Sequence, residues 1–299
     1  MSETQVVVGG LRLKNPVIAA SGTFGFGAEY GEIYDTSQLG AVCTKGLTLH
    51  PREGNPPPRL CETACGLLNS IGLQNPGIDA FIREELPRMK DQAITVIANV
   101  WANNIDEYVA AAERLSGSPI DAIELNVSCP NVSGKGLLGE DAAETARVVQ
   151  QARRVCDKPL WIKLPPTGGI AIALAAQEAG ADAICAVNTF RAMAIDSNTG
   201  RPVFTNVVAG LSGPAIKPIA LRIVYELVAE LKIPVIGIGG IVNWRDALEF
   251  IMAGAYAVQV GTANFVNPLA AVKIVGGLEG YMSEKNINNW EMIRGSAQQ

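Results

Sequence analysis

The stretch Ala122–Ile123–Glu124–Leu125–Asn126–Val127–Ser128–Cys129–Pro130–Asn131 passes from an apolar, β-rich run into a polar loop at a cysteine. Residues 122–127 suit a buried strand. Pro130 has no N–H and cannot continue a ladder, so Asn126 and Cys129 are expected at the strand's C-terminal end. The glycine-rich residues 133–136 that follow suit a lid over a reactive side chain. Working outward, seven further apolar runs occur, at 16–21, 41–46, 94–101, 160–164, 183–189, 234–240 and 257–262. Near-continuous apolar strands are what a parallel sheet covered on both faces requires. Between them lie amphipathic or Ala-rich stretches that predict helices over 78–89, 104–115, 142–155, 170–179, 215–231 and 243–252. Asp106, Asp141 and Asn243 are candidate early-turn or capping residues, and Gly180 and Gly254 stop their helices. Eight such units predict an α/β fold of the (β/α)8 TIM-barrel type, with an open doubly wound sheet as the alternative. The opening residues 5–13, around Gly9–Gly10, predict a β-hairpin. Two long stretches, 48–77 and 190–213, both follow strand ends and are expected over the C-terminal rim.

No linker or shift in composition divides residues 1–299, so one domain is expected. Net charge is −5 and no basic run occurs, which argues against nucleic acid or an anionic membrane as partner. The absence of a signal-like opening and of any apolar run of about 18 residues predicts a cytoplasmic protein. The six cysteines form no framework pattern, and free thiols are expected. Cys61 and Cys65 stand alone as a close pair, a weak metal signal, so no metal site is predicted. His50 is the only histidine, which counts against histidine-dependent triads and histidine-ligated metals.

The strand ends carry the chemistry. They supply Ser21, Lys45 and Gly46, Asn99, Asn126 and Cys129, Lys163, Asn188 and Thr189, Gly239 and Gly240, and Gly261 and Thr262. Barrel active sites lie at this rim, so one shared pocket is expected. Glycine clusters at 210–213, 237–240 and 261–262 fall around the last two strands, where barrels commonly bind a phosphate through backbone N–H groups and a helix N-terminus. A strand-end lysine either forms a Schiff base or holds an anion, so a lysine-dependent lyase or aldolase is one candidate. A thiol under a lid, with cations near it, serves instead as a proton acceptor, and asparagine amides suit a flat heterocycle with carbonyl and N–H edges. A barrel reused for binding without catalysis is a third possibility.

The motif 124–131, with Gly210–Leu211–Ser212–Gly213–Pro214–Ala215–Ile216–Lys217–Pro218 and Val260–Gly261–Thr262–Ala263, resembles the class 1 dihydroorotate dehydrogenases over nearly the whole chain. Ser21–Gly22–Thr23–Phe24–Gly25–Phe26–Gly27 is similar to the NAD-linked subgroup, in which an FMN barrel subunit works with a second subunit carrying FAD and an iron–sulfur cluster. The resemblance implies FMN-dependent oxidation of (S)-dihydroorotate to orotate in UMP biosynthesis. Cys129 would be the base at ring carbon 5, while hydride leaves carbon 6 for the flavin. Lys45, Asn69, Ser70, Ile71, Gly72, Leu73, Asn126, Asn188 and Thr189 match the substrate site. Ser21, Lys45, Gly46, Asn99, Asn126, Lys163, Val187, Gly213, Gly239, Gly240, Gly261 and Thr262 match the FMN site. Lys163 would offset negative charge on the reduced flavin. The chain has no cluster-binding cysteine pattern, so the resemblance implies a partner subunit as the electron exit, and a homodimer at the core of a heterotetramer.

Overall fold

The computed structural model describes residues 4–127 and 138–298. Eight parallel strands close into a barrel. They are β1 (Val17–Ala19), β2 (Ala41–Cys43), β3 (Val96–Val100), β4 (Ala122–Asn126), β5 (Leu160–Lys163), β6 (Ala183–Ala186), β7 (Val235–Ile238) and β8 (Ala257–Val260). Each pairs with its neighbour in sequence, and β8 returns to β1 through the register Val258–Val17. Every residue of all eight strands is buried, which is why the sequence shows near-continuous apolar runs instead of alternation. The predicted runs extend one to three residues past most strand ends. The polar groups assigned to those ends therefore sit on the first loop residues of the rim, apart from Asn99, Asn126 and Lys163, which lie within their strands.

The expected hairpin pairs Val6–Val8 with Leu11–Leu13. Its turn needs positive φ at Gly9 (49°) and Gly10 (83°), and a Cβ on Gly9 would lie 2.6 Å from the Asp182 carbonyl oxygen. The hairpin thus closes the end of the barrel where β6 begins. Helices Ile105–Ser116, Ala142–Val155, Gly169–Glu178, Lys217–Glu230 and Trp244–Met252 match the predicted segments within a few residues. Asn104 caps the first of them, with Asp106 in its opening turn, while Asp141 and Asn243 cap their own helices. The helix predicted over 78–89 is interrupted by a π-helical turn at Phe81–Glu85. Pro87 explains it: the ring cannot donate to the Arg83 carbonyl and would collide with it, so the preceding turn widens and the Leu86 N–H donates to the Phe81 carbonyl.

The two long stretches are not independent loops. Leu60–Thr63, Gly66–Asn69, Ala209–Ser212 and Phe190–Ala192 form one antiparallel sheet over the rim, with its own small core of Leu68, Phe204 and Ala209. Among the described residues, no helix is long and apolar enough to cross a membrane.

Candidate active site

The inward face of the barrel beneath the rim is polar. Glu124 and Asn126 are two residues apart on β4, so both project to the same side, and Asn126 pairs in register with Lys163 on β5. Glu124 is fully buried. Its Oε1 accepts from Asn99 Nδ2 at 2.6 Å and from the Cys43 thiol at 3.3 Å, and lies 3.7 Å from Lys163 Nζ. Its Oε2 accepts from Gln259 Nε2 at 2.5 Å. Burial alone would push this carboxyl up. The Lys163 ammonium and the hydrogen bonds from Gln259, Cys185 and Asn99 outweigh it and hold the group below the usual carboxylate range. The same burial, reinforced by the adjacent Glu124 charge, raises the Cys43 and Cys185 thiols well above their ordinary range, so both stay protonated.

Above this layer the predicted residues converge in three groups. Asn188 Nδ2 donates to Asn126 Oδ1 at 3.3 Å, and the Asn126 carbonyl is held by the buried Tyr108 hydroxyl at 2.7 Å. In the antiparallel sheet over the rim, hereafter the lid sheet, Asn69 donates to the Gly210 carbonyl at 3.2 Å, and a Cβ on Gly210 would lie 2.3 Å from Thr189 Oγ1, which places Asn69 and Thr189 side by side. Gly46 faces Asn99 Oδ1 and Leu73 Cδ2, at 3.0 and 3.4 Å from where its Cβ would be. The segment carrying Ser70, Ile71, Gly72 and Leu73 is tied down by the buried Asn75, which bonds both Thr48 and the Leu73 carbonyl. Gly72 and Leu73 both take positive φ, 74° and 57°.

The glycines around β7 and β8 build a cradle. Gly239 and Gly240 have φ of 132° and 70°, and a Cβ on either would press within 2.7 Å of the first turns of helix Lys217–Glu230. Among the described residues no side chain caps the start of that helix, which follows Gly213 (φ 96°). Thr262 donates to Ser212 Oγ at 2.7 Å, bridging the β8 loop to the lid sheet, and Gly261 packs beside Ala20 and Thr23, next to Ser21. Val187 is buried with its N–H bonded to the Ile238 carbonyl. Lys45 is half-buried, its N–H bonded to the Gly25 carbonyl.

Cys129 and the glycine-rich residues 133–136 expected as a lid lie outside the described residues. Val127, two residues before it, is buried at the rim and its carbonyl accepts from the Gly139 N–H at 2.8 Å. His50 is exposed in its loop. Sequence reasoning missed Glu124, Gln259, Cys43 and Cys185 as members of the site. The available signal was a charged residue in the middle of a run that must be buried on both faces.

A flavin mononucleotide fits these residues. Its phosphate needs backbone N–H groups at an uncapped helix start beside glycines, and its ring N–H needs an acceptor such as Asn99 Oδ1, which is buried with no hydrogen-bond partner among the described residues.

The family model described as dihydroorotate dehydrogenase matches residues 3–282. The chain is 55% identical over 298 residues to the dihydroorotate dehydrogenase B (NAD(+)) catalytic subunit of Petrotoga mobilis, covering 99% of both chains. It is 53% identical over 295 residues to the protein of the same name from Thermoanaerobacter pseudethanolicus and 48% over 298 residues to that of Geobacter sp. strain M21, each covering 98% of both chains. Matches of this extent leave no part of the barrel or its lid sheet outside the alignment, and the chain belongs to the dihydroorotate dehydrogenase family.

Proposed function

We propose that this chain oxidises (S)-dihydroorotate to orotate in de novo UMP biosynthesis, with FMN held at the C-terminal rim of the barrel. The observation that carries this is the convergence of Asn126, Asn188, Asn69 and Thr189 beside a buried Lys163, next to a glycine cradle at an uncapped helix start. Bound FMN supplies the hydride acceptor. The uncapped helix start, with Gly213, Gly239, Gly240, Gly261 and Thr262, holds the phosphate. Ser21, Lys45, Gly46, Asn99, Asn126, Lys163 and Val187 hold the ring system.

Lys45, Asn69, Asn126, Asn188 and Thr189 bind the substrate's carbonyl, N–H and carboxylate groups, with Ser70, Ile71, Gly72 and Leu73 completing that wall. Asparagine suits this task because one side chain offers both a donor and an acceptor to a planar ring. Cys129 removes the proton from ring carbon 5. The lid sheet excludes water, which strengthens each polar contact beneath it.

Residues 1–299 act as one FMN-binding domain. Electrons then leave through a partner subunit that carries FAD and an iron–sulfur cluster and delivers them to NAD, two copies of each subunit forming a cytoplasmic heterotetramer. The word "subunit" in the relatives' names supports a partner.

A lysine-dependent lyase is disfavoured by the same geometry. A Schiff base requires a neutral amine, whereas Lys163 lies 3.7 Å from a buried carboxylate that stabilises its ammonium form.

The test is direct. Purified protein should carry flavin absorbance, and Cys129→Ala should slow flavin reduction by dihydroorotate by about 10² or more without loss of bound flavin, the scale for removing a general base. Folded protein that refuses FMN, or near-normal reduction in the variant, overturns the proposal.

A further inference from the structure

Glu124 belongs to no role described so far, yet it is the most enclosed charge in the barrel. An ionised carboxylate accepts hydrogen bonds and donates none. Whatever faces it must therefore present hydrogen, and this fixes the direction of two amides. Asn99 turns Nδ2 to Glu124 at 2.6 Å, and Gln259 turns Nε2 to it at 2.5 Å. With its nitrogen committed, Asn99 must direct Oδ1 the other way, where it faces Gly46 and has no partner among the described residues. Asn99 is fully buried, so that bare acceptor carries a desolvation cost unless a ligand donates to it. Gly46 leaves the space open: a Cβ there would sit 3.0 Å from the oxygen.

We propose that Glu124 is a positioning residue for the flavin, locking the Asn99 amide so that its oxygen is presented to an N–H edge of the ring. The inference rests on FMN binding at the rim. Cys43 and Lys163 hold the carboxylate from the remaining directions, so it cannot rotate away from Asn99 without losing contacts of its own.

The experiment titrates FMN, followed by quenching of its fluorescence, into flavin-stripped wild type, Glu124→Gln, Glu124→Asp, Asn99→Ala and the Glu124→Gln/Asn99→Ala double variant, with thermal melts of each. Glutamine keeps the shape but can accept from only one of the two amides. Aspartate keeps the charge beside Lys163 but withdraws its oxygens from Asn99. Each Glu124 variant should bind FMN about tenfold or more weakly, the scale of one lost hydrogen bond to a ligand. The double variant should lose far less than the product of the two single losses, because both remove the same contact. Wild-type affinity in either Glu124 variant, or losses that simply multiply, overturns the inference. A purely structural Glu124 would lower the melting temperature without this coupling. Wild type that fails to take up FMN at all would instead sink the proposed function.

Discussion

A carboxylate that water cannot reach persists only where an opposite charge and enough donors replace its hydration, and Glu124 has both within the barrel. Its folded-state value lies below the ordinary 4.5, so its contribution to stability is present above that pH and is lost as pH falls through the lower folded value. With FMN saturating, wild type should therefore lose more melting temperature than Glu124→Gln as pH is lowered below 4.5, and equal losses would show that the carboxylate is not held as described. The neighbouring groups Asn99, Asn126 and Lys163 were legible in the sequence because they break apolar runs near their ends. Glu124 and Gln259 were not, because they sit mid-strand, where only the barrel's inward alternation puts them beneath the rim. Cys43 and Cys185 look like ordinary core thiols until the carboxylate they serve is located.

At the level of elements, the eight barrel strands could be read because two-sided burial keeps each of them near-continuously apolar. The lid sheet could not. Its strands are three or four residues long and only partly buried, and its central pairing joins Asn69 to Gly210 across 141 residues. No local pattern encodes a partner that distant. The π-helical turn was likewise hidden, although Pro87 inside an amphipathic run is its visible cause. One of the two inner strands of the lid, Ala209–Ser212, presses Gly210 against Thr189 and Asn69, with no room for a side chain. Gly210→Ala should accordingly raise the KM for dihydroorotate about tenfold, the scale of one or two disturbed polar contacts, while flavin content per chain stays near wild type. An unchanged KM would detach the lid sheet from substrate binding.

On the scale of the whole molecule, residues from every strand of a closed barrel meet over one mouth, and the glycine cradle, the amide cluster and the buried Glu124–Lys163 pair occupy adjoining parts of it. Family membership fixes which chemistry that mouth performs, since barrels of this kind host many reactions. The most direct measurement is an anaerobic mix of the FMN-loaded protein with dihydroorotate, followed by flavin absorbance with no other electron acceptor present. Bleaching that reaches one substrate oxidised to orotate per bound flavin is the predicted result, and flavin-replete protein that stays oxidised would contradict it.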